Sequence, residues 1–504
     1  MNPIPASTVS SAVFMLALLV CAATSGAQQV NGNSKPVPPP ARESDLDRHL
    51  DELTSKLDNM RQQLIESQNQ MDELRNELRT LREQLSAKDQ TREAAQDADA
   101  LRTGVAQLED ETEILQAEVK QHDQSKVETV SKYPLRINGA LLFTSILNSG
   151  KTDNLNVPVV ALPPDPDSLS GGLSATANQT TLGLDVTGPH LWGAHSWADL
   201  NVDFWGGASS ANYTATAGTV RLRTMHARVE WPDRSLTIAV DRPLMSPWQP
   251  ASWVTVALPA LAWSGNLWTW SPQVNFRQNN LPLRHMSVEG GLIFPSTPYA
   301  WISGQSGGAN AAERSRQPGY QARVGTPLSW RDHPFNLGAS GYYSRQAYNY
   351  DKHVDAWAAA GDWNLVFSHA FQWSGGVYRG RGIGGLGGGN YKDYVSSAAT
   401  DSLRGLDSAG GWTQARFTIS STLEANVSTG LDNAFAHELR GSDQASSPSY
   451  YLTLARNQTV IANLIYRPRT YLLLSTEFRQ IDSRPVDGYA NQDRIFGVAT
   501  GYIF

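Results

Sequence analysis

The 504-residue chain contains one cysteine, Cys21, which excludes a fold stapled by disulfides. Charged residues make up only 18% of it, and the formal net charge is −7. Nucleic-acid partners are usually met by a basic domain, so that balance argues against one. Long apolar runs are missing apart from one near the N-terminus. A multi-helix membrane protein needs several runs of about 20 residues and is excluded. Catalytic signatures are missing too: the chain has no Gly-x-Ser-x-Gly, His-Glu-x-x-His or cysteine-based metal motif. The glycine-rich stretch 382–390 lacks the Gly-Lys-Ser/Thr that closes a phosphate loop, and it reads as a permissive exposed loop. His437-Glu438 reads as solvated surface. No cofactor, metal or enzymatic activity is expected. The 15 Trp, 17 Tyr and 13 Phe exclude disorder throughout.

What is present divides the chain. Residues 10–24 form an apolar core followed by Ser25-Gly26-Ala27-Gln28, which reads as a signal peptide over 1–27, although residues 2–27 contain no Lys or Arg. Residues 28–42 form a Pro-rich spacer. Over 43–122 a heptad pattern runs through Leu46, Leu50, Leu53, Leu57 and Met60 to Leu81 and Leu85. It lapses over 86–100 and resumes out of phase from Leu101. A repeat of 3.5 residues predicts a coiled coil, a helix burying one seam against partner helices. Residues 123–132 are a linker.

From residue 133 to 504 the character changes. Every Trp lies there, and the only lysines are Lys151, Lys352 and Lys392. Heptads give way to alternation, as in Leu135, Ile137, Gly139, Leu141 and Phe143 against Arg136 and Asn138. Sixteen such runs are found, joined alternately by short turns and long loops. One face suits lipid and the other water, and even strand number with asymmetric connections predicts an all-β transmembrane barrel of about 16 antiparallel strands, preceded by the α-helical coil. Phe496, Val498, Thr500, Tyr502 and Phe504 alternate to a terminal aromatic, as outer-membrane barrels often do.

Signal peptide, heptad segment and barrel together resemble the DcaP-like trimeric outer-membrane porins. The local likeness lies in Asp241-Arg242-Pro243, in the loop from Pro247-Trp248-Gln249-Pro250 to Gly265-Asn266-Leu267, and in Ser271 to Arg277. The resemblance implies a homotrimer in the outer membrane, a periplasmic coil and diffusion of small anionic solutes, dicarboxylates among them. The connection 242–271 is unusually rich in tryptophan and is expected to fold into the lumen as a constriction. Its Trp248 and Trp253, with Arg136, Arg221, Arg223, Arg242, Arg277 and Arg323 on water-facing positions, are the candidate pore residues, since guanidinium groups bind carboxylates bidentately and stay charged. Alternatives are a sugar-selective porin using the tryptophans as a stacking track, an outer-membrane hydrolase, and a tether whose coil contacts the cell wall. Outer-membrane lipid is the expected surrounding. Deleting residues 43–122 is expected to leave single-channel conductance unchanged. Loss of the pore would show that the coil is needed for more than tethering or assembly.

Overall fold

A strand crossing hydrocarbon meets no water, so each backbone N–H and C=O left unpaired costs several kcal/mol, roughly. The chain meets that demand with a ring of strands. This is a computed structural model, and it describes residues 134–164, 170–206, 218–281, 286–296, 309–330, 333–348 and 352–504, with Thr80. The signal peptide, the spacer and the coil lie outside the described residues, Thr80 apart.

The strands are β1 (Leu135–Asn148), β2 (Gly172–Thr176), β3 (Thr181–Thr187), β4 (His195–Asp203), β5 (Arg221–Glu230), β6 (Arg234–Asp241), β7 (Ser271–Leu281), β8 (Met286–Ile293), β9 (Gly319–Trp330), β10 (His333–Ala347), β11 (His353–Ser368) and β12 (Phe371–Arg381). A short hairpin, β13 (Tyr394–Ser397) and β14 (Ser402–Gly405), interrupts the series. The ring resumes with β15 (Asp407–Thr418), β16 (Leu423–Ala434), β17 (Leu454–Arg469), β18 (Leu472–Pro485) and β19 (Asn491–Ile503). Each pairs antiparallel with its neighbours, and β19 returns to β1, with Ala140 opposite Ile503 and Asn148 opposite Ile495. Both β2 and β3 pair with β1 and share one place in the ring. The barrel is therefore closed, with sixteen strand positions.

The alternation has the expected sense. On β1, Ile137, Leu141, Phe143 and Leu147 are exposed on the outside, while Leu142, Thr144, Ile146 and Asn148 are buried inside. Toward the short-turn edge the outward face becomes aromatic. Phe335 packs on Phe367, Phe367 on Phe371 and Phe371 on Phe417, with ring centroids 5.2–5.5 Å apart. That is the girdle expected where strands leave hydrocarbon.

All sixteen expected strands are present, with two differences. The run expected over 178–188 begins only at Thr181, because the chain turns inward at 177–180 and buries Gln179 completely, and the extra short strand β2 lies within the connection expected over 148–177. The loop between β12 and β15, L6, is the opposite of an exposed flexible loop, since residues 382–390 are all buried. Its glycines serve close packing. Gly387 adopts φ +92°, and a Cβ there would lie 3.1 Å from Trp268. His437 is exposed, but Glu438 is buried and accepts the Asp407 backbone N–H at 2.9 Å.

L6 also buries charge. Lys392 donates to the carbonyls of Asn390 and Tyr451, both at 3.1 Å, and burial lowers its pKa to about 7. Asp393 accepts from Gln346 and the Gly385 backbone, its Oδ2 has no partner, and burial raises its pKa to about 7. A carboxyl with a raised folded-state pKa is destabilising once ionised, so its penalty grows as pH rises from about 4 to 7. Asp393→Asn is expected to raise the thermal midpoint at pH 8, by an amount on the order of 2–4 kcal/mol of stability, and to leave it nearly unchanged at pH 4. Equal effects at both pH values would refute this reading.

Candidate functional site

The lumen is shaped by the loop between β6 and β7, residues 242–270, here called L3. Its sequence is too apolar to stand in water, and it folds into the barrel. It runs along most of the inner wall, and its contacts can be followed in order. Leu244 donates its backbone N–H to Gln321 of β9 at 3.0 Å, and the Trp248 indole donates to Asp362 of β11 at 3.0 Å. Ala251 is held by Gln414 of β15 and Asn463 of β17, and Ser252 donates to Glu477 of β18 at 2.6 Å. Val254 then packs with Ile146, Ile481, Ile495 and Ala499 on the inner faces of β1, β18 and β19. Trp253 wedges against this cluster and the neighbouring one of Ala140, Leu142, Ile465 and Leu473.

Beside β1 the loop meets Gln179. Its amide oxygen accepts from the backbone of Val256 (2.7 Å) and Ala257 (3.0 Å), and its amide nitrogen donates to the Val254 carbonyl (2.9 Å) and Thr144 (3.0 Å). The loop returns along β16 and β15. Gly265 has φ +89°, and a Cβ there would lie 2.2 Å from the Gly411 carbonyl oxygen, so only glycine lets the two backbones approach.

The predicted arginines divide by what they hold. Arg221 grips Asp203 with two nitrogens (3.1 and 2.6 Å) and donates to the Ala257 carbonyl at 2.6 Å. Arg223 donates to the Val256 carbonyl at 3.0 Å, and both guanidinium groups lie about 5 Å from the centre of the Trp270 ring. Arg323 is bidentate to Asp362 (3.0 and 2.7 Å), the same carboxylate that holds Trp248. These three fasten L3 to the wall. Arg242 donates to the Ser246 carbonyl at 3.2 Å and lies 3.7 Å from Asp241. Arg277 donates to Asn279 at 3.0 Å, and Arg136 stands exposed at the register position opposite Asp185. Among the described residues Arg136 and Arg277 make no ion pair within 4 Å, although Glu289 stands in register with Arg277 and feels the charge of both Arg277 and Arg228. Arg228 makes no such ion pair either; it bonds Thr237 and lies over Trp197. It escaped the sequence reading because a bulge between β4 and β5 at Asn201/Val202 displaces the alternation.

Filling is uneven across the lumen. Where L3 lies on β15–β18, the wall residues are sealed: Glu477 is 2% exposed and Arg479 3%. Elsewhere β3–β8, and the short-turn end of β1 at Arg136, keep accessible charge, with Asp199 at 23%, Asp241 at 30% and Arg242 at 25%. There His226 sits between Asp199 (2.6 Å) and Asp241 (3.1 Å), both ring nitrogens facing carboxylates, and Asp185 accepts from Asn138 at 2.8 Å. Glu289 stands in register between Arg277 and Arg323. The accessible lane thus carries both signs of charge along one wall.

The tryptophans are not open stacking surfaces. Trp263 stacks on Tyr391 at 4.5 Å, Trp268 meets Trp270 edge-on at 5.5 Å, and Trp248 and Trp253 pack into the wall.

No family model matches the chain, and no curated protein does. Among solved structures, the barrel is similar to the crystal structure of the outer-membrane channel DcaP of Acinetobacter baumannii, at 15% identity and TM-score 0.56, covering 74% of this chain and 99% of that one. It is also similar to an anion-selective porin from Comamonas acidovorans (9% identity, TM-score 0.47, 74% of this chain and 100% of that one) and to OmpF of Salmonella typhi in complex with daunomycin (11%, 0.46, 74% and 98%). At these identities the likeness is one of fold.

Gln179 makes five side-chain hydrogen bonds with no exposure, three of them to L3, each worth about 0.5–1.5 kcal/mol net. Gln179→Ala is expected to free the tip of L3, raising single-channel conductance and current noise while the barrel stays folded. Unchanged conductance would show that the tip does not narrow the path.

Proposed function

We propose that the chain is a porin of the outer membrane, a passive channel for small hydrophilic solutes with a mild preference for anions. The observation that carries this reading is the unequal filling of the lumen, in which L3 seals one wall and leaves the other accessible and charged. Along that lane Asp199 and Asp241 are engaged by His226 and Asp185 by Asn138, and Glu289 faces Arg277, Arg228 and Arg323. Arg136, Arg228 and Arg277 make no ion pair within 4 Å, so the three guanidinium groups outnumber the one carboxylate, Glu289, that faces two of them. A series of such groups offers shallow sites that an anion enters and leaves. No catalytic step and no energy coupling belong to this reading.

The sugar-selective alternative is less well supported, because stacking requires free ring faces and the L3 tryptophans already spend theirs on Tyr391, on each other and on the wall. In the same proposal the protein is a homotrimer whose N-terminal coil lies in the periplasm, assisting assembly or touching the cell wall.

Reversal potentials across a salt gradient test the selectivity. The wild-type channel is expected to favour chloride over potassium. Replacing Arg136 and Arg277 together by glutamate is expected to lower the anion-to-cation permeability ratio by about fivefold or more, the scale of one unit charge acting at about 4 Å in water. Strong cation selectivity of the wild type would remove the anion reading and leave the porin reading standing. Absence of any conductance would remove both.

A further inference from the structure

On the outward face of β10–β19, charge gathers at the long-loop end. Arg345 of β10, Arg379 and Arg381 of β12, Arg456 of β17, Arg484 of β18 and Arg494 of β19 all lie there. Their direction follows from parity. Asn457, Ser483 and Asp493, the sequence neighbours of the last three, are completely buried inside the barrel, and Arg381 is in register with the outward Trp357. The register also aligns them. Arg379 pairs with Ala409, Ala409 with Asn433, Asn433 with Arg456 and Arg456 with Arg484, forming one lateral row across five strands.

Three carboxylates share this face. Asp407 is gripped by both Arg379 (2.7 Å) and Arg381 (2.6 Å), Asp482 by Arg484 (2.8 Å), and Asp355 lies 3.8 Å from Arg345. Six arginines against three acids leave an excess of positive charge, and the Nε of Arg456 has no hydrogen-bond partner. Immediately toward the midplane the surface turns apolar, with Trp357, Val377, Val460, Phe478 and Phe496 exposed. At the corresponding end of β1–β9 the described outward residues carry no arginine, and Leu147, Leu173, Val220, Leu222, Phe294 and Tyr320 are exposed instead.

We infer that this row binds the phosphorylated headgroups of the glycolipid in the outer leaflet. The chemistry is specific. Guanidinium forks fit phosphate oxygens in pairs, and the apolar belt directly beneath receives the acyl chains of the same molecule. A soluble anion would gain nothing from that belt. Among the described outward strand residues of β1–β9 no arginine offers such a partner at this end, and the arginines there, Arg314 and Arg316, lie in the connection before β9. The inference rests on the outer-membrane reading above.

The test uses the full-length protein in detergent, with native mass spectrometry reading bound lipid. Bisphosphorylated lipid A is expected to be retained, and its dephosphorylated form to be lost. Replacing Arg456, Arg484 and Arg494 together by glutamine is expected to weaken binding roughly 100-fold, from about a fivefold contribution per surface arginine. Arg484→Glu, an exposed position bonded only to Asp482, provides a second variant should the triple change impair folding, and it is expected to weaken binding at least as much as loss of one arginine. Unchanged retention in the folded variants, equal retention of the dephosphorylated lipid, or displacement by excess inorganic phosphate alone would each overturn the lipid site. Channel conductance measured on the same variants is expected to be unchanged, which separates failure of the lipid site from failure of the channel reading.

Discussion

The pairing of β19 with β1 is the constraint on which the rest depends. Nine residue pairs from Ala140–Ile503 to Asn148–Ile495 join the two ends of the sheet. Without them two edges would face hydrocarbon, each with a row of unsatisfied backbone groups costing several kcal/mol apiece, roughly. Everything else follows from closure. Once the sheet is a cylinder, each strand has one face in lipid and one facing inward, and alternation of side chains separates the two environments with a period of two. The polar inner face is then available to hold a loop, because it is rich in Gln, Asn, Ser and Thr that have no strand partners of their own.

L3 exploits that inner face. Its backbone groups cannot pair as a strand or helix and would be left unsatisfied once buried. The wall supplies the missing partners through Gln321, Gln414, Asn463, Gln179, Arg221 and Arg223. Apolar insertion at Val254 and Trp253 adds burial, and Gly265 allows backbone-to-backbone approach. A loop fixed in this way narrows the lumen to a lane along one wall, which is what selectivity by fixed charge requires. Arginines are consumed in the fixing, so the ones that hold L3 are not equivalent to the ones that face the lane.

Strand positions, connection lengths and the placement of L3 were readable in the sequence because they rest on period-two alternation and on apolar content, both local signals. Two features were not. The segment 178–180 reads as the start of a strand, since Gln179-Thr180-Thr181 has ordinary strand chemistry, and only the arrival of Val256 and Ala257 from far along the chain turns Gln179 inward. Likewise 382–390 reads as slack from glycine content, yet in the fold those glycines are the residues small enough to fit between Trp268, Tyr378 and Lys392. Composition distinguishes neither case, because tight packing and looseness both favour glycine.

Arginine illustrates the same limit most clearly. The barrel half of the chain uses it almost to the exclusion of lysine, and the residue type alone says nothing of role. Parity along the strand decides lumen against lipid: Arg479 is buried inside with Glu477, whereas Arg484, five residues on, faces out. Partnership then decides among the inward ones. Arg221 is committed to Asp203 and the loop, and Arg323 to Asp362, the carboxylate that holds Trp248, while Arg136 and Arg277 retain unspent donors facing the lane. A guanidinium suits all of these places for one reason: it holds its charge through the pH range in which a buried lysine such as Lys392 loses it. A wall that grips a loop and, as proposed, keeps a fixed field and meets an anionic surface draws on a single side chain, and the fold assigns the task.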